Sequence, residues 1–165
     1  MKGTAVFRMV VMFSVALALA ATTPALAETI KIGAGQPITG RFAFAGKHIN
    51  AGLMDSLAYA NEKGGINGKK IEYIYEDTGY DLQRAIASFK RMMAQHSPVM
   101  MYGESTGVGK AMAPEINNRY KVVYGSTSFS AELADRDQNP YMLVSGPTYS
   151  QQFGLLLKYI SENPK

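Results

Sequence analysis

No cysteine occurs in the chain, which excludes disulfides and thiolate metal sites alike. Histidine is limited to His48 and His96, and neither has carboxylates at ligand spacing, so a histidine metal centre has no support. No block of Lys and Arg interleaves with aromatics, which removes nucleic acid from the candidate partners. Low-complexity segments and short-period repeats are also missing.

The one long apolar stretch lies at the start. Lys2 and Arg8 form a basic opening, Met9 to Ala21 is apolar apart from Ser14, and Pro24 precedes Ala25, Leu26 and Ala27. This is the three-part pattern of a secretory signal peptide over residues 1–27, with cleavage expected after Ala27. The apolar run of about 13 residues falls short of the ~20 that span a bilayer. Export out of the cytoplasm is therefore expected, and it weakens every function that needs ATP, NAD or nucleic acid. The leader holds two of the 17 basic residues and none of the 13 acidic ones, so part of the basic balance belongs to it. Residues 28–165 suffice for one domain with a core of its own.

Strand and helix patterns alternate through that domain. Residues 30–34 fit a short strand, followed by a glycine-bearing turn from Gly35 to Gly46. From Gly46 to Lys63, Ile49, Leu53, Leu57 and Ala60 recur at helical spacing. Gly64-Gly65-Ile66-Asn67-Gly68 ends that helix and turns the chain. Residues 71–75 alternate as a second strand, and a helix is expected over 81–95 with Leu82, Ala85, Ile86, Phe89 and Met93 inward. Residues 99–102 form a short apolar strand. A helix is then expected to about Asn118, a strand at 122–124, a strand at 141–144, and a helix over 148–161 bearing Phe153, Leu156 and Leu157. This alternation predicts an α/β fold, a parallel sheet with helices on both faces in a flavodoxin-like or Rossmann-like order.

In such sheets ligands bind outside the carboxyl ends of the strands. Three loops leave those ends, over residues 36–46, 103–107 and 125–129. The later two are rich in hydroxyls: Ser105 and Thr106, then Ser126, Thr127 and Ser128. Hydroxyls and exposed N–H groups at helix starts hold carboxylates without a full positive charge. The same residues also serve as N-caps and turn formers, and the residues alone leave both roles open.

Four segments then resemble the periplasmic leucine/isoleucine/valine-binding protein family, the type I solute receptors of ABC importers. They are Ile30 to Gly33 with Thr39-Gly40 and Ala45-Gly46, the run from Ala60 to Ile71, Glu76-Asp77-Thr78 with the following helix, and Ser126-Thr127-Ser128 with Glu132-Leu133. The resemblance implies a two-lobed receptor that closes on a small-molecule ligand, an amino acid or similar carboxylate, and docks on membrane permease subunits of an ABC importer. It implies no cofactor and no catalysis, and a monomer is expected. It places the ligand's carboxylate and amino group against Ser105, Ser126 and Ser128, with Thr106 and Thr127 as neighbours. Phe42, Phe44 and Ala45 are offered toward the ligand's side chain, and Tyr149 is expected to close over it near the hinge.

Several positions depart from the family pattern. Ala45 stands where an aromatic is frequent, Glu104 replaces a cysteine of some relatives, and Val144 and Tyr149 replace a common Arg and Asp. These changes point away from strictly leucine-like specificity and leave room for an aromatic acid, urea or a short amide. Family members are more than twice as long, so residues 28–165 are expected to be an incomplete N-terminal lobe, a fragment without the second lobe and poorly soluble alone.

Rival classes find less support. Residues 103–111 resemble a P-loop, but Glu104 sits where that motif needs Gly and Ala111 where it needs Ser or Thr. No G-x-S-x-G elbow is present, and neither histidine neighbours a nucleophile by motif, so a hydrolase is disfavoured. A sensor lobe of an exported regulator keeps the same fold and stays open.

Overall fold

The computed structural model describes residues 29–164, so the signal peptide expected over residues 1–27 lies outside the described residues. Five strands and five α-helices alternate: β1 (Ile30–Gln36), α1 (Ala43–Glu62), β2 (Ile71–Asp77), α2 (Leu82–His96), β3 (Met100–Gly103), α3 (Thr106–Pro114), β4 (Val123–Ser126), α4 (Ala131–Ala134), β5 (Met142–Val144) and α5 (Tyr149–Glu162). A π-helical segment, Glu115–Tyr120, continues α3 beyond Pro114.

All strand pairs are parallel and the order is β2-β1-β3-β4-β5, as expected for a flavodoxin-like sheet. Ile32 sits between Tyr73 of β2 and Met100 of β3, and Tyr124 of β4 pairs with Met142 of β5. Successive strand residues point to opposite faces, and β2 displays this directly. Tyr73 donates its hydroxyl to Asn50 Oδ1 on α1 at 2.8 Å, whereas Glu76 pairs with Arg91 on α2. Helices α1 and α2 therefore cover opposite faces.

The main core lies on the α2 side. Phe89, Met92, Met101, Met112, Tyr124 and Met142 are buried there, with α3 and α4 closing the layer. Each large side chain removed from water contributes about 1.5–3 kcal/mol. Asn117 ties the end of this layer together: its amide nitrogen donates to Asn139 Oδ1 at 2.9 Å, and its oxygen accepts from Tyr141 N at 3.1 Å. On the other face, Val123 and Leu143 remain exposed. Helix α5 leaves Phe153, Leu156 and Leu157 exposed as well, although the capping box of Thr148 and Gln151 starts it well.

Local chemistry sets the boundaries. Asp81 Oδ1 accepts from Arg84 N at 2.8 Å and starts α2. The turn after α1 carries Gly64, Gly65 and Gly68 at positive φ, and a Cβ on Gly65 would stand 2.0 Å from the Lys69 carbonyl oxygen. Some expectations shift. Helix α1 begins at Ala43 rather than Gly46, because Gly40 at φ 79 turns the chain early and residues 43–45 then wind as helix. Strand β4 extends to Ser126, one pairing partner being Gly103. Leu82 is exposed rather than inward, and Ile49 is exposed as well, since both lie in helix turns near the carboxyl edge of the sheet. Short α4 had no periodic signal of its own.

Candidate ligand-binding cleft

Strand β1 is flanked by β2 on one side and β3 on the other, so the winding of the chain reverses between β1 and β3. The loop after β1 leads to α1 on one face, and the loop after β3 leads to α3 on the other. Divergent loops at such a switch point leave a crevice above the strand ends. A cleft of about 220 Å³ lies there, lined by residues of the loops after β1, β2, β3 and β4 and by the start of α5.

Strand β3 delivers Glu104, Ser105 and Thr106 to this cleft, and β4 delivers Thr127 and Ser128. Ser105 is the N-cap of α3, its Oγ accepting from Val108 N at 3.3 Å. Thr106 Oγ1 and Ser128 Oγ are 2.5 Å apart, and Ser128 Oγ also accepts from Ser130 N at 3.2 Å. Thr127 is pinned through its Oγ1 and its N, which donate to the Gly103 carbonyl at 3.1 and 3.2 Å. The first N–H groups of α3 have no intrahelical acceptor and carry the positive end of its dipole. Hydroxyls and N–H groups thus converge on one wall, a donor set suited to a carboxylate.

The loop after β1 is held by Asp77 at the end of β2. Its Oδ1 accepts from Ile38 N at 2.9 Å and Thr39 N at 3.0 Å, and its Oδ2 accepts from Thr39 Oγ1 at 2.5 Å. Burial pushes the Asp77 carboxyl up, but these bonds and one from Gly79 N outweigh it and hold the group below its usual range. The loop so fixed presents Pro37, Phe42 and, from the first turns of α1, Ala45, Gly46 and Ile49. Tyr80 stacks on Phe42 with ring centroids 4.0 Å apart, from a backbone at φ 60 that bulky residues rarely adopt.

Glu104 is half-buried in the cleft wall. Burial, with Asp77 and Asp81 nearby, raises its carboxyl above the usual range, against the opposing bond that Thr78 Oγ1 donates to it. Among the described residues no Lys or Arg lines the cleft.

Comparison with known proteins agrees with this arrangement. A family model described as periplasmic binding protein matches residues 29–165. The chain belongs to the periplasmic binding protein family. It is 30% identical over 135 residues to the Leu/Ile/Val-binding protein homolog 7 of Brucella suis biovar 1 (strain 1330), covering 78% of this chain and 33% of that protein. Over 58 residues it is 40% identical to the Leu/Ile/Val-binding protein homolog 2 of Brucella abortus (strain 2308), covering 35% of this chain and 16% of that protein. A solved branched-chain amino acid ABC transporter from Thermus thermophilus with bound valine superposes with a TM-score of 0.74 at 24% identity, covering 84% of this chain and 36% of that one. The chain thus spans about a third or less of the length of these relatives.

Within this periplasmic binding protein fold, the expected site residues divide. Ser105, Thr106, Thr127, Ser128, Ala45 and Tyr149 come together at the cleft. Tyr149 meets Phe129 edge-on at 5.9 Å, and its N donates to the Phe129 carbonyl at 2.9 Å. Ser126 is buried beneath the loop, where its Oγ accepts from Ser128 N at 3.1 Å. Phe44 is 71% exposed and stacks on Phe42, outside the cleft lining. Ala45 follows it by about 100° around the helix, which turns one toward the cleft and the other toward solvent. Gln36, Tyr80 and Glu104 were not anticipated as lining residues. For Gln36 the signal was available: it continues the even-numbered face of Ile30, Ile32 and Ala34 to the strand's carboxyl end. Among the described residues no helix is long and apolar enough to cross a membrane.

Proposed function

We propose that residues 28–165 form the N-terminal lobe of a periplasmic solute receptor of an ABC importer, and that the cleft binds the carboxylate end of an amino acid or a related small acid. The observation that carries this reading is the Thr106–Ser128 hydroxyl pair beside the start of α3, at the switch point between β1 and β3. Whichever hydroxyl donates to the other, one O–H remains to donate to a ligand, next to helix N–H groups. Charge-assisted bonds from such donors are stronger than neutral ones. Ser105, Thr127 and Tyr149 complete the wall, and Phe42 and Ala45 offer apolar surface to the rest of the ligand.

In this reading residues 1–27 are removed after Ala27 on export, the receptor works without catalysis, and a second lobe closes the cleft before the complex docks on permease subunits. One face alone buries too little of a ligand for a tight site.

The test is a thermal-shift screen of the full-length protein against amino acids, aromatic acids and short amides. A true ligand at about 100 times its Kd stabilises by about 2.7 kcal/mol and raises Tm. One member of the panel raising Tm supports the receptor reading, and a flat response across the panel overturns it.

A further inference from the structure

We propose that the cleft carries a second polar subsite, built on Gln36, that takes a neutral ligand group with both a hydrogen-bond donor and an acceptor, such as a carboxamide or urea-type group. The proposal rests on the receptor reading above and names the chemistry of the ligand's other end.

Gln36 is the last residue of β1 and is 0% exposed, yet it stands in the cleft wall. Both its side-chain atoms, Nε2 and Oε1, are buried without a hydrogen-bond partner. Its backbone is fixed, because its carbonyl accepts from Ile38 N at 2.9 Å and from Thr78 N at 3.0 Å. The side chain is packed away from water as well, with no exposed surface of its own. Its neighbours along this side of the lining are Pro37, Gly46 and Ile49, whose side chains offer neither donor nor acceptor. Buried polar groups are almost always paired, and an amide lacking both partners implies that something else supplies them. A ligand group with one N–H and one C=O is the complement of a primary amide, bonding to it in a two-point, reciprocal manner.

The adjacent strand end fits the same class. Glu104, the residue that follows the neighbouring β3, accepts from the buried Thr78 hydroxyl, and among the described residues no cation lines the cleft beside it. A polar but uncharged ligand tip meets less conflict between Gln36 and Glu104 than an isobutyl group, which would leave the amide unsatisfied.

L-Asparagine and L-leucine test this directly, since they share the amino-acid head and have side chains of nearly the same shape, one an amide and the other aliphatic. Acetamide supplies the amide without the head. Each is titrated calorimetrically into the full-length wild-type protein and into Gln36→Leu, and the ligand-free Tm of both proteins is recorded. We expect wild type to bind asparagine at least tenfold tighter than leucine. Gln36→Leu should lose that preference while its ligand-free Tm equals or exceeds that of wild type, because an unpaired buried amide has been replaced by an apolar group of similar size.

Leucine binding wild type as tightly as asparagine overturns the subsite and leaves the receptor reading standing, and this outcome needs no variant. An unchanged asparagine-to-leucine ratio in Gln36→Leu, with a lowered Tm, also overturns it and marks Gln36 as structural. Acetamide binding that is lost in Gln36→Leu, with neither amino acid bound, keeps the subsite and overturns the amino-acid reading. Binding of none of the three overturns the subsite, and the wider panel then decides the receptor reading.

Discussion

Thr106 Oγ1 and Ser128 Oγ meet at 2.5 Å, so the first residue of α3 is bonded to the loop that leaves β4. This contact joins two neighbouring strand ends at the point where the cleft opens, and it fixes the distance between the donors that a carboxylate would use. The pair ties two loops together and retains a free donor for a ligand, so bracing the loops and binding are compatible roles of the same atoms.

Removal of either hydroxyl function should weaken ligand binding. Ser128→Ala and Ser105→Ala are each expected to lose about 1–3 kcal/mol of affinity in the full-length protein, the cost of leaving a buried partner unpaired. Ser105→Ala should also lower unfolding stability by about 0.5–2 kcal/mol, since Ser105 caps α3. Calorimetric titration and urea unfolding measure the two effects. Unchanged affinity in both variants contradicts the assignment of this wall to the carboxylate.

Asp77 should make stability acid-sensitive. Its folded pKa is depressed, because hydrogen bonds from the Thr39 hydroxyl and the N–H groups of Ile38, Thr39 and Gly79 overcome the opposing effect of burial. Its contribution is therefore present above the unfolded carboxyl range and is lost as pH falls through the folded value. Asp77→Asn should be less stable than wild type at neutral pH, with the gap closing in acid. Urea unfolding across the acid range gives the comparison, and a constant gap contradicts it.

Glu104 carries the opposite sign. Burial raises its folded pKa, so the folded state holds the proton more tightly than the unfolded chain. Its unfavourable contribution is absent below the unfolded carboxyl range and grows as pH rises toward the folded value. Glu104→Gln should remove that loss and flatten the profile between those limits. Equal pH slopes in wild type and variant contradict this account.

Two glycines of α1 should respond in opposite directions to alanine. A Cβ on Gly46 would lie 2.1 Å from the Pro37 carbonyl oxygen, where the helix meets the loop after β1. Gly46→Ala is expected to cost about 1–3 kcal/mol and to disturb the cleft wall. Gly52 has nothing within 4 Å of its Cβ position, so Gly52→Ala should stabilise by about 0.5–1 kcal/mol. Thermal unfolding of the two variants checks the contrast, and a common sign contradicts it.

The alternation of strands and helices was legible because short apolar runs such as residues 99–102 are bounded by turn formers, and α2 has a clear periodic face. The parallel sheet followed from that alternation. The hydroxyl loops were legible too, as clusters at predicted strand ends. What escaped were features set by tertiary geometry. Phe44 faces solvent while Ala45 lines the cleft, because α1 starts three residues earlier than its periodicity indicates. Tyr80 reaches the cleft through a left-handed backbone that no local pattern specifies. Ser126 goes beneath its loop because β4 extends to include it. Gln36 belongs to β1 itself, which runs two residues past the end its apolar pattern indicates.

The central claim is that the Thr106–Ser128 wall holds a ligand's carboxylate, and comparing an amino acid with its own amide tests it most directly. Leucine, valine and asparagine, each paired with its C-terminal amide, are titrated into the full-length wild-type protein and Ser128→Ala. The account predicts that at least one acid binds wild type ten or more times tighter than its amide, about 1.4 kcal/mol, and that Ser128→Ala narrows this gap. Acid and amide binding equally well, a gap indifferent to Ser128→Ala, or binding of no acid at all would contradict it.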